Sequence, residues 1–224
     1  MEDLTYLPQF TIKLLGLNLV FNTETIYLTW IVMACLIIFA FLATRKIGFI
    51  PNPFQVVGEL IVDTFYGLTE DALDEKLAKK YFPLICTLFM FLLLCNWLGV
   101  IPKLHEPTKD LNTPLSLGIM GFVISHYAGI KAKGFKDYIK EYFEPIFFMA
   151  PLNIIGELAK VVSISFRLFG NIMGGSIIIL VISHLIYSLL LPPLLIVFFS
   201  LFIGTIQAFV FTMLTLVYIS VQVN

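Results

Sequence analysis

Glu157, Lys160 and Arg167 are the only formal charges between Pro145 and the end of the chain, in a stretch otherwise made of apolar and small residues. A charged side chain at membrane depth costs about 2.5–3.5 kcal/mol on insertion scales, so each needs a partner, water or a transported ion to stay there. With Arg167 as origin and about 100° of rotation per residue, Asn153, Gly156, Lys160, Ser163, Asn171 and Gly174 fall within roughly 40° of it on one helix face. That stripe is polar and small, whereas the back of the helix carries Phe166, Ile172, Ile179 and Leu180. Glu157 lies about 80° off the stripe and about 15 Å along the axis from Arg167, too far for a pair within the helix. One reading is a structural lock, with Lys160 snorkelling to the interface and Arg167 pairing with Glu157. The other is ion handling: an arginine unpaired on its own helix and flanked by small residues expects a carboxylate on another helix that slides close past this face. In the last apolar stretch Ser200, Gly204 and Gln207 share a face by their i, i+4, i+7 spacing. An antiparallel hairpin would bring Gln207 level with Arg167, although polar residues in a bilayer also serve simply to bond neighbouring helices.

The elements that must position these residues are membrane spans. The 224 residues are 59% hydrophobic with net charge −1, and the mean hydropathy is +0.95. Soluble domains average roughly 45–50% apolar residues, and nothing here offers a basic surface for nucleic acid. Cys35, Cys86 and Cys95 lie inside apolar runs without a CxxC pair or a nearby histidine cluster, so they read as small core residues and no firmly bound metal is expected. The N-terminus lacks the basic start and small-residue cleavage site of a signal peptide, which implies that the first span is retained. Gly129 and Gly134 have Walker-like spacing, but Phe135 stands where a lysine is required, so no nucleotide site or catalytic centre is expected.

The predicted class is an all-α integral membrane protein, a single membrane domain over 1–224. Its spans are about 25–44, 81–101, 114–130, 145–190 and 194–222. Residues 54–80 mix apolar side chains with Glu59, Asp63, Glu70, Asp71, Asp74 and Glu75 and read as an amphipathic interfacial helix. Pro192-Pro193 marks the turn of a long C-terminal helical hairpin. Arg45/Lys46, Lys76/Lys79/Lys80 and Lys131/Lys133/Lys136/Lys140 fall on one side of this map, which the positive-inside bias makes cytoplasmic. The N-terminus then faces outward and the C-terminus lies inside.

The segments Ser165-Phe-Arg-Leu-Phe-Gly-Asn171 and Gly204-Thr-Ile-Gln-Ala-Phe-Val-Phe-Thr-Met-Leu-Thr-Leu-Val-Tyr218 resemble the two signature stretches of subunit a of bacterial F-type ATP synthases. Asp110-Leu-Asn112 and Ser125-His-Tyr-Ala-Gly129 are further, weaker likenesses. The resemblance covers nearly the whole chain. It implies a stator in the bacterial plasma membrane, bordering a rotating ring of c subunits, held by a peripheral b stalk and joined through the complex to a soluble ATPase head. The transported H+ or Na+ takes the place of a cofactor. Arg167 matches the essential arginine, whose implied task is to displace the cation from each passing ring carboxylate and to block a leak between two offset half-channels. The ion-path set drawn from the residues and the resemblance is Arg167, Gln207, Asn171, Lys160, Ser176, Glu157, Asn153 and Ser163, with His184, Asp110, Asn112 and His126 as outer candidates. Both histidines read alternatively as helix-bonding residues.

One position departs from the pattern: many proton-translocating relatives carry a glutamate where Ser176 stands. A serine cannot relay a proton by titrating, so water, Glu157 or His184 substitutes, or the ion is sodium, which oxygens of Ser163, Ser165, Asn171 and Ser176 suit. Lys160, seven residues before Arg167, resembles the arrangement in sodium-translocating members, and the sequence leans to sodium. The competing classes are a stand-alone channel or secondary transporter, which predicts inverted repeats that the sequence lacks, and a structural subunit or assembly factor, which leaves Arg167 without a task.

Overall fold

The computed structural model describes residues 9–14, 17–45, 51–101, 104–143, 150–185 and 191–223. An antiparallel hairpin, β1 (Gln9–Leu14) and β2 (Leu17–Asn22), pairs Gln9 with Asn22 and Leu14 with Leu17. It leads directly into α1 (Thr23–Thr44). Then come α2 (Pro53–Ala72), α3 (Glu75–Trp97), two 3-10 turns at Leu98–Val100 and Pro107–Lys109, α4 (Asn112–Lys133), α5 (Phe135–Phe143) and α6 (Ala150–Leu185). The chain ends in α7 (Leu191–Val197), a π turn (Phe198–Ile203) and α8 (Gly204–Val223), which run on as one rod. Among the described residues five helices are long and apolar enough to cross a membrane: Thr23–Thr44, Glu75–Val100, Asn112–Lys133, Ala150–Leu185 and Pro192–Val223. The chain is thus a multi-pass, helical membrane protein, with the small hairpin set ahead of its first span.

Two of the expected boundaries move. The interfacial helix expected over 54–80 stops at Ala72: Leu73 is extended (φ −134°, ψ 155°) and Asp74 opens a new helix. Residues 75–80 are therefore the first turns of the second span, where Lys79 pairs with Glu75 at 2.6 Å one turn away. Pro192 and Pro193 lie inside the first turn of α7, where their missing N–H groups cost no helical bond, so they start the helix instead of forming the turn before it. The expected ends of the fourth span at 145–149 and 186–190 lie outside the described residues.

α8 is the central post. Its Leu216 and Ile219 pack with Phe65 of α2, Ala78, Tyr81 and Ile85 of α3 and Ala128 of α4. Higher up, Ala208 and Phe211 pack with Leu88, Leu92 and Leu93 of α3 and with Ile164, Leu168 and Ile172 of α6. Lipid tails are as apolar as leucine, so helices in a bilayer associate through close fit and hydrogen bonds. α4 supplies the fit with a buried face of Gly118, Gly121, Ser125, Ala128 and Gly129. A Cβ at Gly129 would come within 2.7 Å of the Gln222 carbonyl and of the Tyr138 ring, whose hydroxyl donates to Gln222 Oε1 at 2.8 Å. Gly129→Val should therefore destabilise the α4–α5–α8 corner by about 1–3 kcal/mol. Membrane abundance of the chain in a pulse-chase is the measure, and wild-type turnover would refute the close fit. Gly134 ends α4 at φ +87°, its N–H bonding the Ile130 carbonyl at 2.9 Å, so the two glycines with Walker-like spacing belong to a helix and its cap.

Candidate functional site

Val161, Ile164, Leu168, Ile172 and Gly175 form the buried seam of α6. The polar stripe predicted around Arg167 points elsewhere: Ser163, Arg167 and Asn171 are exposed, and so are Gly156 and Gly170. A Cβ added at Gly156, Gly170 or Gly174 would meet nothing within 4 Å. The open glycines of α6 contrast with those pressed against a neighbouring helix, such as Gly118, Gly129 and Gly204.

Glu157 does not lock Arg167. It accepts from Lys160 Nζ at 2.6 Å, one turn along the same helix, and that ammonium also lies 5.6 Å from the centre of the Tyr218 ring. Among the described residues no carboxylate or hydrogen-bond acceptor is paired with Arg167. An unpaired guanidinium at this depth is costly, and among the described residues nothing matches this outward-facing one, which suits a partner from another chain.

Two contacts fix the level of Gln207. Lys160 lies against Tyr218, and a Cβ at Gly175 would touch Phe199 at 2.8 Å. Arg167 and Leu168, midway between 160 and 175, come level with Ala208 and Phe209, midway between 218 and 199. Gln207 is buried, 9% exposed, beside Ala208 in the shared cluster. It stands at the depth of the arginine but makes no hydrogen bond to it.

Two cavities approach α6 from opposite ends. One, of about 330 Å³, opens on the side of the basic clusters and is lined by Leu152, Asn153, Gly156, Glu157, Lys160 and Gln222. Ser125, next to His126, joins Glu157 and Lys160 in the narrow seam beside it, while the His126 ring itself lies against Phe122, tilted by 39° with centroids 3.9 Å apart. The other cavity, of about 320 Å³, opens on the far side between the start of α1, the 104–111 loop and α6, where Phe169 and Met173 form its wall. Arg167 lies between the two linings along α6.

The far cavity carries a set of polar groups that sequence reasoning did not assemble. Asp110 accepts from the side chains of Asn22 and, at 3.3 Å, Thr25, and from the backbone N–H of Asn112 at 3.1 Å, so it ties α1 to the start of α4. His105 Nε2 stands 3.9 Å from Glu24 Oε1. Glu106 accepts a hydrogen bond from Ser200 Oγ at 2.8 Å. Burial pushes its carboxyl above the usual carboxylate range, against the lowering pull of the Ser200 bond and of Lys109. Nearby, Thr108 donates to Asn96 at 2.8 Å and Asn96 donates to the Gly204 carbonyl at 2.8 Å, fastening the loop to the top of α8. The one available signal for Glu106 was a carboxylate in a loop between spans, which usually means solvent; its burial depends on the π turn that presents Ser200. Ser176 donates back to the Ile172 carbonyl at 3.1 Å, and His184 is exposed near the end of α6.

Comparison with known proteins places these features in context. The model of the family described as ATP synthase A chain matches residues 26–220. The chain is 41% identical to an ATP synthase subunit a of Moorella thermoacetica over 197 residues, 88% of this chain and 89% of that protein. It is 34% identical to one of Legionella pneumophila over 96% of this chain and 91% of the relative, and 40% identical to one of Campylobacter jejuni over 82% and 83%.

Proposed function

Since this chain belongs to the ATP synthase A chain family, we propose that it is the stator subunit whose two half-channels carry H+ to and from a rotating c ring in a rotary F-type ATP synthase. The observation that carries the reading is the outward-facing Arg167, unpaired among the described residues and set between two cavities that open on opposite sides. A cation entering from one side cannot pass the arginine directly, because like charge repels it in a low dielectric. It crosses only by riding on a neutralised carboxylate of the ring. Asn171 and Ser163 flank the crossing point, Gln207 supports it from α8, and Asn153, Glu157 and Lys160 line the basic-side outlet. That side is cytoplasmic by the positive-inside rule, so the N-terminus and the 104–111 loop face outward in the bacterial plasma membrane. The c ring, the b stalk and the soluble head are the partners, and nucleotide chemistry belongs to the head.

The cation we infer is the proton. Sodium was the expectation from Ser176 and Lys160, yet Lys160 is engaged by Glu157 and the outer cavity has an acid of its own in Glu106. The test is to purify the chain from its native membrane and reconstitute what accompanies it. A c ring and a soluble ATPase should co-purify, and ATP-driven acidification of vesicles should collapse with a protonophore, with hydrolysis indifferent to millimolar sodium. Absence of the ring would defeat the stator reading; sodium-22 accumulation that resists the protonophore would return the cation to sodium.

A further inference from the structure

We propose that Glu106, through Ser200, is the titrating relay of the outer half-channel, the acid that takes over the task left vacant by the serine at 176. This rests on the stator reading above. Glu106 lines the far cavity together with Glu24, His105, Lys109 and Asp110, so a cation drawn from the outer solution reaches it past polar groups. Its carboxylate is largely enclosed, and the hydroxyl it touches belongs to the π turn of the last span, a kind of distortion that recurs at functional sites. Ser200 is 5% exposed and begins the Ser200, Gly204, Gln207 series that descends to the level of Arg167.

The enclosure is specific. Gly99 faces Glu106 so closely that a Cβ there would overlap the carboxylate and also press on Ser200 at 2.7 Å. Among the described residues the ionisable groups around Glu106 come from its own loop, His105, Lys109 and Asp110, and from α1, Glu24; α3 presents Asn96, the 3-10 turn after it presents Gly99, α6 presents Phe169 and Met173, and the π turn presents the Ser200 hydroxyl. The raised proton affinity of this half-buried carboxyl suits a group that must take up and release a proton. In the step itself a proton from the outer aqueous side binds the ionised carboxylate of Glu106. Neutral Glu106 then passes a proton to Ser200 Oγ while the Ser200 hydroxyl gives its own to a water molecule on the way to Gln207, and that water hands a proton on to the ionised ring carboxylate. One proton enters, one leaves, and both residues return to their starting states.

A structural role and a relay role separate at Glu106→Gln, which keeps volume and still accepts from Ser200 but cannot titrate. In the whole complex in inverted vesicles, ATP-driven proton pumping should fall by about tenfold or more, with the complex assembled in normal amount. Adding Ser176→Glu to that variant should restore a substantial part of the rate, since it returns an acid to the same half of the path, and the pH profile of pumping should shift with the new acid. Wild-type pumping by Glu106→Gln across neutral pH would overturn the proposal. So would failure of that variant to assemble, which would make Glu106 a structural tie, and so would a double variant no better than the single one. Arg167→Ala in parallel tells the two readings apart: if it still pumps, the stator reading is at fault; if it is silent while Glu106→Gln pumps normally, only the relay is.

Discussion

Arg167→Ala is expected to bring ion-coupled ATP synthesis in vesicles to background while the subunit stays inserted and the complex assembles. The reason is geometric. Arg167 is exposed and has no partner among the described residues, so truncating it removes no packing from the buried seam of Val161, Ile164, Leu168 and Ile172. The same truncation removes the single positive charge between the two cavities. On the proposed stator reading, ring carboxylates would then have nothing to displace their cations, and the half-channels nothing to keep them apart. The field supplies only about 2.3 kcal/mol per charge per 100 mV, so even a modest leak between the half-channels dissipates the drive. Arg167→Lys should be nearly as poor, because a compact ammonium does not reproduce a planar guanidinium that stays charged in all conditions. Synthesis at wild-type rate by Arg167→Ala, with assembly verified by co-purification, would remove the stator charge from the mechanism.

The five spans were legible because bilayer thickness imposes run length on the sequence, and the charges that interrupt the runs mark their ends. The stripe around Arg167 was legible for a related reason: helical periodicity is local, so residues at 153, 156, 160, 163, 167, 171 and 174 share a face whatever packs behind them. What the pattern could not settle was which way that face points. The open space at Gly156, Gly170 and Gly174 is a property of the whole bundle. The break at Leu73–Asp74 was hidden because acidic residues on both sides of it make one continuous amphipathic pattern, and a helix boundary set by two backbone torsions leaves no mark on periodicity. Glu106 was hidden more deeply. Its partner Ser200 is far away in sequence, and only the folding of the 104–111 loop onto the π turn, fixed by Asn96, Thr108 and the Gly204 carbonyl, turns a loop carboxylate into an enclosed one.

The open glycines carry the second large effect. Gly174 and Gly175 are neighbours in sequence with opposite surroundings: a Cβ at Gly174 meets nothing within 4 Å, whereas one at Gly175 would press on the Phe199 ring at 2.8 Å. Gly175→Phe should therefore fail inside the chain, because a large ring cannot enter the α6 seam against the π turn without displacing it, at a cost of about 1–3 kcal/mol or more. Its membrane abundance should drop. Gly174→Phe should leave abundance unchanged, since a side chain entering open space away from packing usually shifts stability by no more than about 0.5 kcal/mol. If a ring of helices moves past this face at the distance that glycine allows, the same substitution must collide with each arriving carboxylate helix, and ATP synthesis should fall to background. Gly170→Phe, one turn nearer Arg167 on the same open side, should behave likewise. Normal synthesis by Gly174→Phe would mean that no moving partner comes within a side chain's length of α6, and the small residues around Arg167 would then need another cause.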